Sequence, residues 1–253
     1  MKSRKIIGFI LSVLVLFCIP NVTKVNAAEN ISKGYVKVTS TLNARESPDL
    51  KSKSIAKLEP GTIVEIEEDV NDFYKIKISV DGKTEEAYAY KEYIAIPSEE
   101  NKELISAAVI TKKGSSENRN YNMALACEKL TGLTLKPGEE FNWYGENGVG
   151  KANEENGFKQ APIIVNKQTT MGYGGGVCQV STALYNCIYN LDIKPDELHH
   201  HSLESTYVKK GMDATVAYPA KNFRFTNSKD YTIEFEAFTE GSRVVILAYK
   251  TEE

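Results

Sequence analysis

Histidine, cysteine and tryptophan are scarce in this sequence, and several kinds of protein are excluded by what it lacks. Among 253 residues there are three histidines, four cysteines and one tryptophan. Paired Cys-x-x-Cys motifs and a second histidine cluster are missing, so we expect no metal site. The glycine patterns of dinucleotide-binding and P-loop proteins are also missing, so we expect no cofactor. The net charge of −3 excludes a basic surface for nucleic acid, and 42% hydrophobic residues is typical of a globular protein.

Apolar runs are short, and the one at the N-terminus has the form of an export signal. Residues 6–17 are apolar, basic residues precede them, and Val25-Asn26-Ala27 follows with small residues where signal peptidase cleaves. The pattern predicts a signal peptide at residues 1–27 and a mature protein that is secreted or associated with the cell wall. An uncleaved N-terminal membrane anchor is the alternative interpretation.

The mature chain keeps an odd number of cysteines. These are Cys127, Cys178 and Cys187, which cannot form a complete disulfide framework, so at least one thiol stays free. On one helix, Cys178 and Cys187 lie on opposite sides and about 13.5 Å apart along the axis, so they do not pair with each other.

Two patterns of periodicity divide the remaining chain. Residues 34–96 are short alternating segments separated by turn dipeptides such as Asp81-Gly82, which predict a small all-β barrel. Residues 97–103 are polar and are interpreted as a linker. Residues 104–250 predict an α+β domain with a C-terminal antiparallel sheet. In this domain we expect helices from Ser115 or Ser116 to about Thr131 and from the glycines at 174–176 to Leu191, then strands at 214–218, 222–227, 231–238 and 243–250.

Four short motifs follow one another in the first of these regions. They are Leu42-Asn43-Ala44-Arg45-Glu46-Ser47-Pro48, Leu58-Glu59-Pro60-Gly61-Thr62, Phe73-Tyr74-Lys75-Ile76 and Tyr93-Ile94. In this order they resemble the bacterial Src-homology-3-like domain of exported wall proteins. The resemblance implies wall targeting or presentation of a substrate, and a spacer without its own ligand is the other interpretation.

Cys178 is placed differently from a core cysteine. On a helix that begins after Gly174-Gly175-Gly176, it lies about 130° from the centre of the apolar stripe that includes Val180 and Leu184. The first helical turn favours a thiolate, and glycines admit a substrate and offer amides for an oxyanion. This combination is typical of a cysteine nucleophile in acyl transfer. A tight turn with an incidental thiol and a phosphate-binding loop are the alternatives.

A thiolate nucleophile needs a base, and the only histidines of the sequence occupy positions 199–201. We expect one of them to serve Cys178 and a carboxylate, Asp213 or Glu204, to orient its ring. Consecutive histidines also decorate surfaces or bind metal weakly. Arg119 either grips a substrate carboxylate or belongs to a solvated helix end.

The motif around the cysteine is the most specific of the sequence. It reads Gly174-Gly175-Gly176-Val177-Cys178-Gln179-Val180-Ser181-Thr182, and it is accompanied by Asn118-Arg119-Asn120-Tyr121-Asn122, Lys136-Pro137-Gly138-Glu139-Glu140-Phe141, His201-Ser202 and Asp213-Ala214-Thr215-Val216. Together these motifs resemble the VanW family over roughly residues 104–249. The resemblance implies an L,D-transpeptidase of peptidoglycan that acts through the motif cysteine.

The resemblance also implies roles for single residues. Cys178 is expected to attack the carbonyl of the third stem-peptide residue and release D-alanine, after which a diaminopimelate amine resolves the acyl-enzyme. His201 matches the family's histidine and is the expected base. Leu198 stands where the family pattern has arginine, which leaves His199 and His200 open as bases.

Two other functions compete with transpeptidation. A cysteine peptidase of the NlpC type would use water instead of the amine, although such enzymes typically show Asp-Cys-Ser rather than Val177-Cys178-Gln179. A non-catalytic wall-binding protein would leave Cys178 inert. The expected partners are peptidoglycan stem peptides and, through the barrel, the cell wall, and the sequence indicates no oligomeric state.

Overall fold

The computed structural model describes residues 32–80, 82–98, 102–114, 116–165 and 168–251. The predicted signal peptide, with Cys18, lies outside the described residues. In the described part of the chain, no helix combines the length and apolar character needed to cross a membrane. Cys127, Cys178 and Cys187 are all free thiols, which confirms that Cys178 and Cys187 do not pair.

The N-terminal region is a single antiparallel sheet. Its strands are β1 (Ser32–Val36), β2 (Leu42–Arg45), β3 (Ser54–Leu58), β4 (Ile63–Val70), β5 (Phe73–Val80), β6 (Lys83–Tyr90) and β7 (Ile94–Ala95), the last preceded by a 3₁₀ turn at Lys91–Tyr93. Their order in the sheet is β3-β2-β6-β5-β4-β1-β7. Val80 pairs with Lys83, which confirms the predicted hairpin at Asp81-Gly82. No ladder joins β3 to β7 among the described residues, so closure into a barrel remains a prediction.

The C-terminal region contains two helices and three further sheets. Its elements are β8 (Glu103–Thr111), α1 (Glu117–Leu130), β9 (Thr134–Leu135), β10 (Glu140–Asn142), β11 (Gln160–Val165), β12 (Gln168–Tyr173), α2 (Val177–Tyr189), β13 (Pro195–Glu197), β14 (Arg224–Thr226), β15 (Thr232–Glu240) and β16 (Arg243–Thr251). The main sheet has the order β8-β16-β15-β9, a smaller sheet has the order β10-β14-β13, and β11 and β12 form a hairpin.

Both helices pack on one face of the main sheet because each carries an apolar stripe. Met123 of α1 and Leu184 of α2 are fully buried in a core that also contains Phe235 of β15 and Ile246 of β16. Ser116 caps α1, and its Oγ accepts a hydrogen bond from the Arg119 amide at 3.3 Å. This layer holds the beginnings of both helices beside each other.

The N-terminal sheet covers the opposite face of the main sheet. Tyr35 of β1 is buried against alternate residues of the main sheet, including Ala107 and Leu247. Arg243 Nη1 donates to the Lys37 carbonyl at 2.7 Å, and a Cβ at Gly61 would lie 2.5 Å from the Ala107 carbonyl oxygen. The two regions therefore pack against each other through apolar side chains, although polar residues join them in the sequence.

Three sequence-based predictions about the C-terminal region are wrong. Strand β8 precedes α1 and pairs with β16 along its length, whereas the sequence pattern placed helices first and strands afterwards. Residues 214–218 form no strand, and there only Ala217 makes a bridge, to Lys221. Their backbone groups are instead taken by α2 side chains and by the His199 carbonyl. Helix α2 also ends two residues early, because the Ile193 amide turns back to the Ile188 carbonyl.

Candidate functional site

The glycine turn before α2 is shaped by its surroundings. Gly174 and Gly176 have φ values of 78° and 109°, a region that side chains other than glycine rarely occupy. Gly175 has no such φ, but a Cβ there would lie 2.7 Å from the Pro162 carbonyl oxygen. The buried Asn122 side chain donates to the Gly175 carbonyl at 3.1 Å. Asn122 thus positions the glycine turn. The sequence alone assigns it no role of its own, although it belongs to the motif at residues 118–122.

Cys178 is the second residue of α2 and is partly buried. Its Sγ donates a hydrogen bond to the Val216 carbonyl at 3.4 Å. About one turn further along α2, Ser181 and Thr182 bind the backbone of Ala214. Ser181 Oγ donates to the Ala214 carbonyl at 2.8 Å, and the Ala214 amide donates to Thr182 Oγ1 at 3.0 Å. Residues 213–216, here called the covering segment, therefore lie along the face of α2 that carries the thiol.

Burial controls the protonation of this thiol. It raises the pKa of Cys178 above its ordinary value, and the Asp213 carboxylate acts in the same direction, while the cations of Arg119 and Lys221 act in the opposite one. The depressed pKa expected from the helix N-terminus is therefore wrong for this conformation. The loss of hydration on burial outweighs the hydrogen bond at Val216 and the two cations, which all favour the thiolate.

His201 and Asp213 form the closest pair of ionisable groups at the site. His201 Nδ1 lies 2.6 Å from Asp213 Oδ2, and the His201 amide donates to the same oxygen at 2.7 Å. Burial opposes ionisation of Asp213, but the amide and ring of His201 outweigh it and lower the pKa of this carboxyl. The arrangement holds a carboxylate against one nitrogen of the imidazole and leaves Nε2 for other partners.

The other predicted base and orienting residues are arranged differently. His200 Nδ1 lies 2.9 Å from the Asp213 carbonyl oxygen and 3.2 Å from its Oδ1. His199 Nε2 lies 2.9 Å from Glu197 Oε1, away from Asp213. Glu204 is exposed, and in the described part of the chain it pairs with none of the histidines.

The covering segment connects the thiol with the His201–Asp213 pair. Val216 at one end contacts Cys178, and Asp213 at the other end holds His201. Among the described residues, no histidine lies within hydrogen-bond distance of Cys178 Sγ. The structure thus brings the thiol and the pair to one side of α2 without a direct contact between them.

Arg119 lies against the glycine turn. Its Nε donates to the Lys113 carbonyl at 2.9 Å and its Nη1 to the Pro162 carbonyl at 3.0 Å. A Cβ at Gly176 would lie 3.0 Å from Arg119 Cγ, so the side chain packs on the residue two positions before the thiol. A guanidinium has five N–H donors, so groups remain for a ligand.

Further residues at the site were missed by sequence reasoning. Lys221 exchanges two backbone hydrogen bonds of 2.9 Å with Ala217, and its Nζ lies 3.5 Å from the His200 carbonyl oxygen. The rings of Tyr144 and Tyr218 meet edge to face at 5.3 Å, with the ammonium of Lys151 4.2 Å from the Tyr218 ring centroid. These residues come from loops far apart in the sequence, which carries no periodic signal for them.

The described residues contain no group of three His, Cys, Asp or Glu side chains able to hold a metal ion. What the site contains is a cysteine, a histidine–carboxylate pair and two cations. These groups supply a nucleophile, a proton acceptor and positive charge, which are the elements of acyl-transfer chemistry.

Comparison with known proteins identifies the family of this chain and of its N-terminal region. A family profile described as VanW like protein matches residues 118–249, more than half of the chain, so the chain belongs to the VanW-like family. A bacterial SH3 domain profile matches residues 40–95, which fall in the N-terminal sheet. The resemblance drawn from the motifs is therefore confirmed for both regions.

Two curated proteins are each similar to about half of this chain. The uncharacterized protein YoaR of Bacillus subtilis (strain 168) is 31% identical over 138 residues, covering 54% of this chain and 45% of YoaR. The vancomycin B-type resistance protein VanW of Enterococcus faecalis (strain ATCC 700802 / V583) is 25% identical over 134 residues, covering 51% of this chain and 48% of that protein. The matches thus span about half the length of these relatives.

Proposed function

We propose that this protein is an exported peptidoglycan L,D-transpeptidase with Cys178 as its nucleophile. One observation carries the proposal: the covering segment contacts Cys178 at one end and holds the His201–Asp213 pair at the other. Membership of the VanW-like family and the name of its Enterococcus relative agree with a role in the cell wall. The bacterial SH3 region agrees with attachment to the wall.

In the first half-reaction, His201 accepts the thiol proton as Cys178 Sγ attacks the carbonyl carbon of the third stem-peptide residue. The bond between this carbon and the nitrogen of D-alanine breaks, and the leaving nitrogen takes the proton back from His201. Asp213 keeps the imidazole oriented and stabilises its cationic form. The product is a thioester on Cys178 and free D-alanine.

In the second half-reaction, the side-chain amine of a diaminopimelate residue on another stem attacks the thioester. The C–S bond breaks, an amide forms, and the proton lost by the amine returns through His201 to the sulfur. One amide is exchanged for another, so the cycle requires no oxidant, reductant or cofactor. The result is a cross-link between two third-position residues.

The turn and the N-terminal region have supporting roles in this proposal. The Gly174 amide, one of the three expected oxyanion donors, is engaged by the Lys159 carbonyl at 3.2 Å. The amides of Gly175 and Gly176 donate to no described residue, so we propose these two for the oxyanion that forms during attack. Arg119 binds the substrate. We further propose a signal peptide at 1–27, an SH3-like barrel at 34–96 that binds the wall, a linker at 97–103 and the catalytic domain at 104–250.

Catalysis requires the covering segment to move. Sγ is hydrogen-bonded to the Val216 carbonyl and must turn towards the Nε2 of His201 to lose its proton. Catalytic hydrogen bonds are often absent in unliganded enzymes and form when substrate binds. We therefore assign the described conformation to the resting enzyme.

Mass spectrometry of the mature protein with tetrapeptide stems tests the proposal. Wild type should form cross-linked dimers with release of D-alanine and carry an acyl adduct on Cys178. Cys178→Ala should do neither, while Cys127→Ala, the same substitution at a buried core thiol, should retain both activities. Shortened stems without cross-links would instead identify a peptidase of the NlpC type.

A non-catalytic wall-binding protein is the second candidate, and one observation favours it. The thiol is hydrogen-bonded to a backbone carbonyl and burial raises its pKa, as in an inert cysteine. This candidate predicts that wild type and Cys178→Ala bind sacculi equally and that neither forms an adduct or a product.

A further inference from the structure

Two cations from separate parts of the chain flank Cys178. Arg119 of α1 packs on Gly176, two residues before the thiol. Lys221 pairs through its backbone with Ala217, the residue next to the one that binds Sγ. Their charges act on the thiol from its helix side and from its covering side.

Neither cation is neutralised by an acid among the described residues. Arg119 is held by the backbone carbonyls of Lys113 and Pro162, and Lys221 by the carbonyl of His200. Among the described residues, Asp213 is the carboxylate that acts on the thiol, and its oxygens are engaged by His200 and His201. The site is therefore arranged to receive a negatively charged group beside the sulfur.

We propose that Lys221 and Arg119 together bind the free α-carboxylate of the residue that leaves from the donor stem peptide. This inference rests on the proposed function and deepens it, because it restricts the donor to a peptide bond next to a chain end. A guanidinium grips a carboxylate with paired N–H groups, and an ammonium adds a second point of attraction. An internal peptide bond offers no such group at this position.

The leaving residue is the right size for this role. In a substrate cleaved at its last peptide bond, the terminal carboxylate is two bonds from the leaving nitrogen. It therefore lies within a few ångströms of the carbon attacked by Sγ. Binding the carboxylate at Arg119, which packs on Gly176, places the scissile bond beside the glycine turn.

The test is a binding titration that needs no turnover. The mature Cys178→Ala protein is titrated with a tetrapeptide stem ending in a free carboxylate and with the same peptide ending in a carboxamide. We expect the acid to bind at least tenfold more tightly than the amide. In the double variant with Lys221→Gln this preference should nearly vanish, Lys221→Arg should restore most of it, and Lys210→Gln, at an exposed lysine, should leave it unchanged.

Each result separates the inference from the function on which it rests. Equal affinity for acid and amide would overturn the carboxylate site while leaving transpeptidation intact. An acid preference unaffected by Lys221→Gln would overturn the role of Lys221. Binding of neither peptide would contradict recognition of stem peptides, and the proposed function would fail together with the inference.

Discussion

The first and last turns of α2 each contain a cysteine, and their surroundings differ. Cys187 is fully buried in the core between α2 and the main sheet, and burial raises its pKa to about 12. Cys178 is also buried enough for its pKa to rise, but Arg119, Lys221 and Asp213 all act on it. Among the described residues, no charged group contributes to the raised pKa of Cys187. Burial alone therefore does not distinguish an inert thiol from a candidate nucleophile, whereas the charges around it do.

The largest expected difference between the two cysteines is the effect of their substitution on activity. Cys178→Ala should lower the transpeptidation rate by at least about 10³-fold, because it removes the nucleophile. Cys187→Ala should keep most of the rate but lower the free energy of unfolding by about 1–2 kcal/mol, because it leaves a small cavity in the core. Rates on stem peptides and urea unfolding of both variants measure the two effects. Equal loss of rate in both would contradict the comparison.

Asp213→Asn should have the next largest effect, about 10²-fold on the rate, because His201 loses its orienting carboxylate. The same variant has a signature in stability. A carboxyl whose pKa is lowered by folding stabilises the protein above about pH 4, and this stabilisation is lost as the pH falls through the folded pKa.

Thermal unfolding between pH 7 and pH 2.5 checks that signature. Wild type should lose stability more steeply below pH 4 than Asp213→Asn does. Asp230→Asn, at an exposed aspartate, should follow the wild-type curve. Parallel curves for all three proteins would show that His201 does not stabilise the Asp213 carboxylate.

Gly176→Ala tests the packing of the first turn. Its φ of 109° is unfavourable for alanine, and the new Cβ would lie 3.0 Å from atoms of Arg119 and Met123. We expect a loss of about 1–3 kcal/mol in the free energy of unfolding. Gly211→Ala is the matched control, since its φ of 81° is also positive but no atom lies within 4 Å. A smaller loss at Gly176 than at Gly211 would contradict the close contact.

Thiol labelling gives the smallest expected effect, a difference of about tenfold between the labelling rates of Cys178 and the two buried cysteines. At pH 7, Cys178 should label slowly compared with an exposed cysteine but faster than Cys127 and Cys187. Its rate should rise with pH beyond the ordinary thiol range, because its pKa is raised. Maleimide labelling from pH 6 to 10, resolved by mass spectrometry, measures the order. A rate already maximal below pH 7 would show a depressed pKa instead.

Helical periodicity predicts that Cys178 lies away from the apolar stripe, because local spacing determines the face of a helix. It could not show that this face is covered, since the covering segment is more than thirty residues away in the sequence. Ser181 and Thr182 offered a signal: adjacent hydroxyls near a helix start can bind a passing backbone, as they do with Ala214.

The pairing of His201 with Asp213 could be predicted only as one of several choices. The family motif named the histidine, but Glu204 and Asp213 both follow it closely in the sequence, which does not decide between them. The structure selects Asp213 because the backbone of residues 199–201 runs beside the covering segment, where the Thr215 amide donates to the His199 carbonyl at 2.7 Å. Lys221 had no sequence signal, because its place depends on the bridge to Ala217.

The contact of Tyr35 with Ala107 and Leu247 affects how the two regions would be arranged on a cell-wall strand. A sheet that packs apolar side chains against the main sheet is more restrained than a domain on a flexible linker. If the N-terminal sheet binds a wall strand, the contact keeps that strand at a constant distance from the Cys178 thiol. Lengthening the segment between the two regions would not change that distance as long as the contact stays closed.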